Sequence, residues 1–390
     1  MAILKKKIGI ITYWESNDNY GQQLQCWALR HYLWERGYDA FLIRQYVWPE
    51  QHKIHERGIK RIKQRVKEAI ACILYATNLA YKPFVYKLFA FCLDKETCRR
   101  QFPRFRKENL KMSKIYTTPE ALVANPPKAD VYITGSDQVW NYSMPDGPLR
   151  NFFLQFGDKK AKRISYAPSI GHPVFPEELK EQIKSYLNVF SAISVRECSA
   201  VPLINELGYD AKTVLDPTML LNADDYLQLA KGVQGRKCVF IYSMNYAKRD
   251  DIPFDDIKGF AEQRNLPIIV TPGSGYLPAK ELFEGVEYSY ATIPQWIQHI
   301  ANAELVVTAS FHGVVMSILM HRPVVYTPLK GELASSNNRV LDLLHKLGLE
   351  TQVYKGIFKP NTDINWDYID DIIYKQKQDA QQFLLKSIEL

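Results

Sequence analysis

The chain has 390 residues, 46% hydrophobic and 24% charged, with a formal net charge of +8. This composition excludes a disordered chain, a collagen-like repeat and a coiled coil, and the length favours two domains. The six cysteines form no C-x-x-C pair and no histidines stand at zinc spacing, so we expect reduced thiols in a cytoplasm, no metal site and no cofactor.

The first sixty residues predict a βαβ unit. Residues 8–14, IGIITYW, form an apolar run typical of a buried parallel strand, and the charged Glu15 follows too soon for a signal peptide. Residues 22–37 then predict a helix that Gly37 ends, and a second strand begins at Tyr38.

The excess positive charge is concentrated between Lys53 and Lys114, a segment that contains 17 Lys and Arg but only 5 Asp and Glu. Apolar and basic residues alternate there at helical spacing, which predicts a basic helical insertion over 53–114. Two interpretations stay open for residues 53–93: a solvated surface helix, or an element that contacts an anionic membrane surface. We expect no nucleic-acid partner, because no reading motif accompanies the charge.

After this segment, strands and helices alternate in two successive sets, which predicts an α/β protein with two Rossmann-like lobes. The connection LDPTMLLNADDY divides an N-terminal lobe, 1–216, from a C-terminal lobe, 217–365. Residues 366–390 predict a final helix that packs back on the first lobe. No stretch reaches 18 uncharged apolar residues, so we expect no membrane span.

Polar residues that follow the predicted strands are the candidate ligand site, because α/β folds bind ligands at the carboxyl ends of strands. His312 either hydrogen-bonds within its loop or acts on a substrate as proton donor or phosphate ligand. Arg196 and Arg339 either pair with carboxylates such as Glu197 or clamp a phosphate or carboxylate of the substrate. The other candidates at strand ends include Asn19, Gly21, Asp137, Gln138, Asn245, Gly273, Ser310 and Gly313.

Taken together, six strings of this sequence resemble the polysaccharide pyruvyl transferase family. They are NYGQQLQCWAL (19–29), ADVYITGSDQVWN (129–141), ISYAPSIG (164–171), ISVRE (193–197), LDPTML (215–220) and WIQHIANAELVVTASFHGVVMSILMHRPVV (296–325). The resemblance extends from about residue 8 to 350. It implies a GT-B-like fold and the transfer of a pyruvyl group from phosphoenolpyruvate to two hydroxyls of a sugar. The product would be a cyclic ketal in a surface or capsular polysaccharide precursor, with release of phosphate.

The resemblance also implies roles for single residues. His312 matches the His of the family motif and Arg196 an Arg at a strand end, and we expect both to be catalytic. We expect donor binding by Ser310, Gly313, Arg339, Asn245 and Gly273, and acceptor binding by Asn19, Gly21, Gln22, Asp137, Gln138 and Trp140.

The chain departs from the family pattern in the loop before His312. Many relatives read T-D-S-F-H-G, and this chain has Ala309 in place of the acidic residue. Some relatives carry Arg-Leu before the His, where this chain has Ser310 and Phe311. The work of that Arg would fall on another residue such as Arg339.

Two alternatives stay open: a glycosyltransferase that uses a nucleotide sugar on the same architecture, and a non-catalytic glycan-binding relative. The expected partners are phosphoenolpyruvate and a sugar acceptor, which a lipid would carry if the basic segment contacts a membrane. The expected location is the cytoplasm or the inner face of a membrane.

Overall fold

The computed structural model of the protein describes residues 5–15, 19–45, 70, 100–143, 150–273 and 281–389. Apart from residue 70, the basic segment 53–93 lies outside these residues. Residues 274 and 275, which follow the predicted site residue Gly273, also lie outside them.

The first lobe is built on a five-stranded parallel sheet in the order β3-β2-β1-β4-β5. Its strands are β1 (Lys7–Ile11), β2 (Asp39–Gln45), β3 (Met112–Tyr116), β4 (Val131–Thr134) and β5 (Lys162–Ser165). Its first helices are α1 (Tyr20–Glu35), α2 (Phe102–Asn109) and α3 (Pro119–Ala124). The chain then forms α4 (Glu177–Leu187), β6 (Ser194–Val195), α5 (Ala200–Glu206) and β7 (Lys212–Thr213), and β6 and β7 pair as a two-stranded sheet.

The second lobe repeats this order in the parallel sheet β10-β9-β8-β11-β12. After α6 (Ala223–Leu229), its strands are β8 (Cys238–Ser243), β9 (Ile268–Pro272), β10 (Glu287–Tyr288), β11 (Ala303–Thr308) and β12 (Val324–Tyr326). Its helices are α7 (Phe254–Gln263), α8 (Ile293–Ala301), α9 (Phe311–Leu319) and α10 (Asn338–Lys346). The prediction of an α/β protein with two Rossmann-like lobes is therefore confirmed.

Both sheets reverse their strand order at one point, between β1 and β4 in the first lobe and between β8 and β11 in the second. Loops that leave neighbouring strands in opposite directions open a crevice at this point, where α/β folds bind ligands. The fold therefore places the loops that follow these four strands at two such crevices, one in each lobe.

The strand β3 corrects the predicted helical insertion, which included residues 112–114. These residues belong to β3, which pairs in parallel with β2 at the edge of the first sheet. The segment is polar and half exposed, as an edge strand tolerates, so it lacks the continuous apolar run that reveals a buried strand.

One of the apolar cores extends from the first lobe into the second, because α1 packs against helices of the second lobe. Tyr20 of α1 stacks on Trp296 of α8, with ring centroids 5.2 Å apart. Trp27 is seven residues further along α1, and its ring centroid lies 5.5 Å from that of Tyr226 in α6. Burial of these large aromatic surfaces favours a fixed arrangement of the two lobes in this structure.

The chain ends in the helix α11 (Trp366–Glu389), which begins at the predicted residue. Its last turn contacts the first lobe, where Lys6 Nζ donates to Ile388 O (3.1 Å) and Tyr38 Oη donates to Glu389 Oε1 (2.7 Å). Among the helices in the described ranges, none is both long enough and apolar enough to cross a membrane.

The half-buried His299 of α8 gives the fold a predictable pH dependence. Burial lowers the pKa of His299 to about 4, so between pH 6.5 and 4 the unfolded chain binds a proton that the folded one does not. The contribution of the neutral His299 to the free energy of unfolding is then fully present above pH 6.5, and it is lost as the pH falls toward 4. From pH 7 to 4.5 we expect wild type to lose about 2 kcal/mol more than His299→Gln in denaturant unfolding.

Equal pH slopes for wild type and His299→Gln would contradict the assignment.

Candidate active site between the lobes

The polar residues of the candidate site meet around one buried carboxylate, that of Asp216. This residue ends the first lobe and caps the 3₁₀ turn Pro217–Met219, which connects the lobes. Its Oδ1 accepts hydrogen bonds from Thr218 N (3.0 Å) and Thr218 Oγ1 (2.7 Å). Its Oδ2 accepts from Arg196 Nη1 at 3.0 Å and lies 3.0 Å from Ser136 Oγ.

The imidazole of the second lobe approaches the same carboxylate oxygen. His312 Nε2 lies 3.6 Å from Asp216 Oδ2, and the His312 side chain is almost fully buried. The guanidinium of Arg196 and the imidazole of His312 therefore share one carboxylate, although 116 positions separate them in the sequence. This geometry brings together the two residues that the sequence predicted as catalytic.

The charges of this cluster hold one another ionised. Burial alone would raise the pKa of Asp216, but His312, Arg196 and the Thr218 N–H together hold it well below its usual range. Burial opposes the charge of Arg196, yet the carboxylates of Asp216, Asp137 and Glu197 raise the pKa of its guanidinium. The cluster therefore keeps fixed charges in a buried environment, where they act strongly on a bound ion.

Several polar atoms of the cluster form no hydrogen bond within the described part of the chain, although carboxylate or guanidinium groups lie 3.6–3.9 Å away. They are Arg196 Nε and Nη2, His312 Nε2 and Glu197 Oε2. A buried polar atom without a partner costs free energy, so such atoms commonly await a ligand or a water. A cavity of about 330 Å³ adjoins them, and its lining includes Arg196, Glu197, Phe311 and Arg339. His312 is not among the described residues that line it, and its Nε2 lies 3.6 Å from Asp216 Oδ2, whose residue does line it.

A second guanidinium reaches this cavity from α10. Arg339 Nη1 lies 4.0 Å from Asp137 Oδ1, and the Gln138 amide, with its oxygen turned to Arg339, accepts from Nη1 at 2.7 Å and Nη2 at 3.1 Å. The ring of Phe311 lies beneath both guanidinium groups, 4.6 Å from that of Arg196 and 5.9 Å from that of Arg339. Burial, and then the neighbouring Arg196, lower the pKa of Arg339. An anion between the two arginines would relieve their repulsion.

The start of α9 corrects one detail of the predicted loop. The helix begins at Phe311, before His312 and Gly313, because the Ser310 hydroxyl caps it by accepting from Gly313 N at 3.3 Å. The N–H of Gly313 is thereby used inside the protein, so it does not serve the predicted donor site. Ala309, which replaces the acidic residue of many relatives, packs in the core of the second lobe.

Several other predicted site residues have structural roles here. Trp140 was predicted to stack on the acceptor sugar, and this is wrong: its indole is 1% exposed, stacks on Phe153 at 5.0 Å and donates to Phe152 O. Gly21 is also buried rather than open to an acceptor, since a Cβ built on it would lie 2.6 Å from His312 Cβ.

The remaining four predicted residues, Asn19, Gln22, Asn245 and Gly273, are not among the described residues that line the cavity. Asn19 caps α1 by accepting from Gln22 N at 3.3 Å. Asn245 follows β8 with an exposed side chain, and Gly273 N donates to Ser243 O at 2.6 Å. Their roles in binding stay predictions.

The sequence predicted no role for Asp216 and indicated Glu197 only as a carboxylate partner for the arginines. The structure places both in the cluster, together with Phe311. A usable signal for Asp216 was its position in the string LDPTML, directly before a proline that begins a turn.

One group of side chains with metal-ligating atoms comes together elsewhere in the described residues. His31, Glu35 and Asp225 bring one ligand atom each within 4.8 Å of one another. Glu35 and Asp225 line a different cavity, beside α11. The absence of a metal requirement stays a prediction.

The fold and the cleft define a class: a two-lobe Rossmann-like α/β protein with a buried cluster of arginines, a histidine and carboxylates between its lobes. Within this class, the model of the family described as polysaccharide pyruvyl transferase matches residues 19–328. The match covers well over half of the chain, so the protein belongs to the polysaccharide pyruvyl transferase family. No curated protein matches the sequence.

Solved structures of similar shape have low sequence identity. Arabidopsis thaliana UGT89C1 complexed with UDP-L-rhamnose has a TM-score of 0.49 and 9% identity, with 99% of this chain and 97% of that chain covered. UDP-GlcNAc 2-epimerase from Neisseria meningitidis bound to UDP-GlcNAc has a TM-score of 0.46 and 8% identity, with 98% and 100% covered.

The contact between Gly21 and His312 yields a test of the site's geometry. In Gly21→Ala the new methyl group would overlap the His312 side chain, so α1 and α9 must separate. We expect a loss of about 1–3 kcal/mol of stability in denaturant unfolding, together with weakened activity.

The control is Gly259→Ala in α7, where nothing lies within 4 Å of an added Cβ. This variant should gain about 0.5–1 kcal/mol, because alanine favours the helix. Unchanged stability and activity in Gly21→Ala would show that the lobes do not meet at this point.

Proposed function

We propose that this protein transfers a pyruvyl group from phosphoenolpyruvate to two hydroxyls of a sugar, forming a cyclic ketal and releasing phosphate. The observation that carries the proposal is the set of unpartnered buried donor atoms on Arg196, beside a cavity that Arg339 also lines. The family provides the reaction class, and the chemistry of this cavity suits the donor.

Phosphoenolpyruvate carries a carboxylate and a phosphate, and both groups suit guanidinium donors. Arg196 keeps Nη1 on Asp216, which leaves Nε and Nη2 to form a fork toward a ligand. Arg339 supplies the second guanidinium, which lies 5.9 Å from the Phe311 ring. This is the work that falls to Arg339 because the loop before His312 carries no arginine.

The reaction needs a proton at the enol methylene and nucleophiles at the adjacent carbon. In the proposed mechanism His312 delivers that proton, which turns the methylene into a methyl group and leaves a cationic carbon. One sugar hydroxyl attacks this carbon, the carbon–oxygen bond to phosphate breaks, and the second hydroxyl closes the ketal. Asp216, beside His312 Nε2, orients the imidazole.

The acceptor side of the proposal comprises Asp137 and Gln138, which follow β4 and contact Arg339. We infer further that a lipid carries the acceptor and that residues 53–93 contact an anionic membrane surface. This inference rests on the charge of the sequence between Lys53 and Lys114.

The decisive experiment measures phosphate release from phosphoenolpyruvate with and without candidate glycans, and searches the glycans by mass spectrometry for the added pyruvyl group. We expect release only when an acceptor is present, and thermal stabilisation by phosphoenolpyruvate but not by nucleotide sugars. Stabilisation by nucleotide sugars alone would favour a glycosyltransferase, and glycan binding without phosphate release would favour a non-catalytic relative.

The role of His312 is tested by His312→Gln. Without its proton donor, the enzyme should lose turnover by about 10²–10⁴-fold, while phosphoenolpyruvate still stabilises it in a thermal-shift titration. His345→Gln, on the exposed end of α10, should keep wild-type turnover. Full turnover in a folded His312→Gln variant would remove His312 from the mechanism.

A further inference from the structure

We propose that Glu197 is a further catalytic residue, the base that takes the proton from the attacking hydroxyl of the sugar. The inference rests on the proposed function and assigns the proton acceptor in the same site. Glu197 is 5% exposed and follows Arg196 directly, at the end of β6.

The two oxygens of this carboxylate have different surroundings. Oε1 accepts three hydrogen bonds, from Ser169 Oγ (2.9 Å), Ile170 N (2.8 Å) and Gly171 N (3.1 Å). Oε2 accepts none within the residues that the structure describes, and it is buried. Three donors thus fix the carboxylate in place and leave one oxygen, with its lone pairs, for a group that enters the site.

Glu197 also lies at the boundary between two cavities. It lines the cavity of about 330 Å³ that contains Arg196 and Phe311. It lines a second, polar cavity of about 10 Å³ as well, whose wall includes Gln138, Gly171 and His172. Arg339 is the other residue that lines both. The small cavity has about the volume of one water, which is also the size of one sugar hydroxyl.

The two cavities separate the substrates by chemistry. The guanidinium groups of the larger cavity suit the anionic donor. The amide of Gln138 and the imidazole of His172 line the small cavity, and they suit one hydroxyl of a neutral sugar. A hydroxyl that enters from the small cavity would donate its hydrogen bond to Glu197 Oε2. Its oxygen would then face a donor molecule held by Arg196, whose free Nε lies 3.9 Å from Oε2.

The proton transfers balance over one turnover. As the first hydroxyl attacks, its O–H bond breaks, the proton moves to Glu197 Oε2, and the new carbon–oxygen bond forms. The proton on Glu197 leaves with the phosphate when the bond to phosphate breaks. The proton of the second hydroxyl restores His312, which had protonated the methylene. The two hydroxyl protons thus end on the methyl group and the phosphate, and no oxidant or reductant is needed.

Glu197→Gln tests the assignment, because the glutamine oxygen can still accept the three hydrogen bonds while the amide nitrogen cannot accept a proton. With phosphoenolpyruvate and acceptor, we expect kcat to fall by about 10²–10⁴-fold. The thermal shift caused by phosphoenolpyruvate should remain, because the arginines are intact. In Glu197→Ala, added formate should restore part of the turnover, an effect that a structural role would not produce.

The matched control is Glu206→Gln, which changes an exposed glutamate of the following helix, α5, that pairs with Lys180. It should behave as wild type. Wild-type kcat in Glu197→Gln would overturn the assignment, and so would loss of the phosphoenolpyruvate shift, which would make Glu197 part of the donor-binding site. Wild-type enzyme that releases no phosphate with any acceptor would instead overturn the proposed function itself.

Discussion

The active-site region depends on one buried ionised carboxylate, that of Asp216. An isolated charge in a protein interior is costly, so Asp216 must keep its partners. Those partners come from distant parts of the chain: the turn that joins the lobes, Arg196 of the first lobe and His312 of the second. The same interaction that neutralises Asp216 therefore fixes Arg196 and His312 relative to one another.

The cleft also contains buried polar atoms that form no hydrogen bond with any described residue. One buried and one half-buried guanidinium group, three buried carboxylates and a buried imidazole lie together, and Phe311 lies beneath the guanidinium groups of Arg196 and Arg339. The carboxylates use one end of Arg196 and leave the other end free. Such preorganised donors need little rearrangement when an anion binds, which is the usual source of electrostatic stabilisation in enzymes.

The departures from the family pattern are local and have structural explanations. Ala309 packs in the core of the second lobe and is not among the described residues that line the larger cavity. Ser310 and Phe311 stand where some relatives carry Arg-Leu, and the guanidinium of Arg339 lies over the ring of Phe311. A positive charge thus reaches the same neighbourhood from a different helix.

The sequence by itself determined the two lobes, most of their strands and the conjunction of His312 with Arg196. Apolar runs, glycines at helix ends and the order of motifs depend on residues that are close in the sequence, so they can be read before the fold is known. Only the tertiary structure decided which side chains face a cavity. Trp140 became core, β3 became a polar edge strand, and Glu197 acquired one fixed and one free oxygen. The physical reason is that burial and hydrogen bonding at these positions depend on residues far away in the chain, whose approach no local pattern encodes.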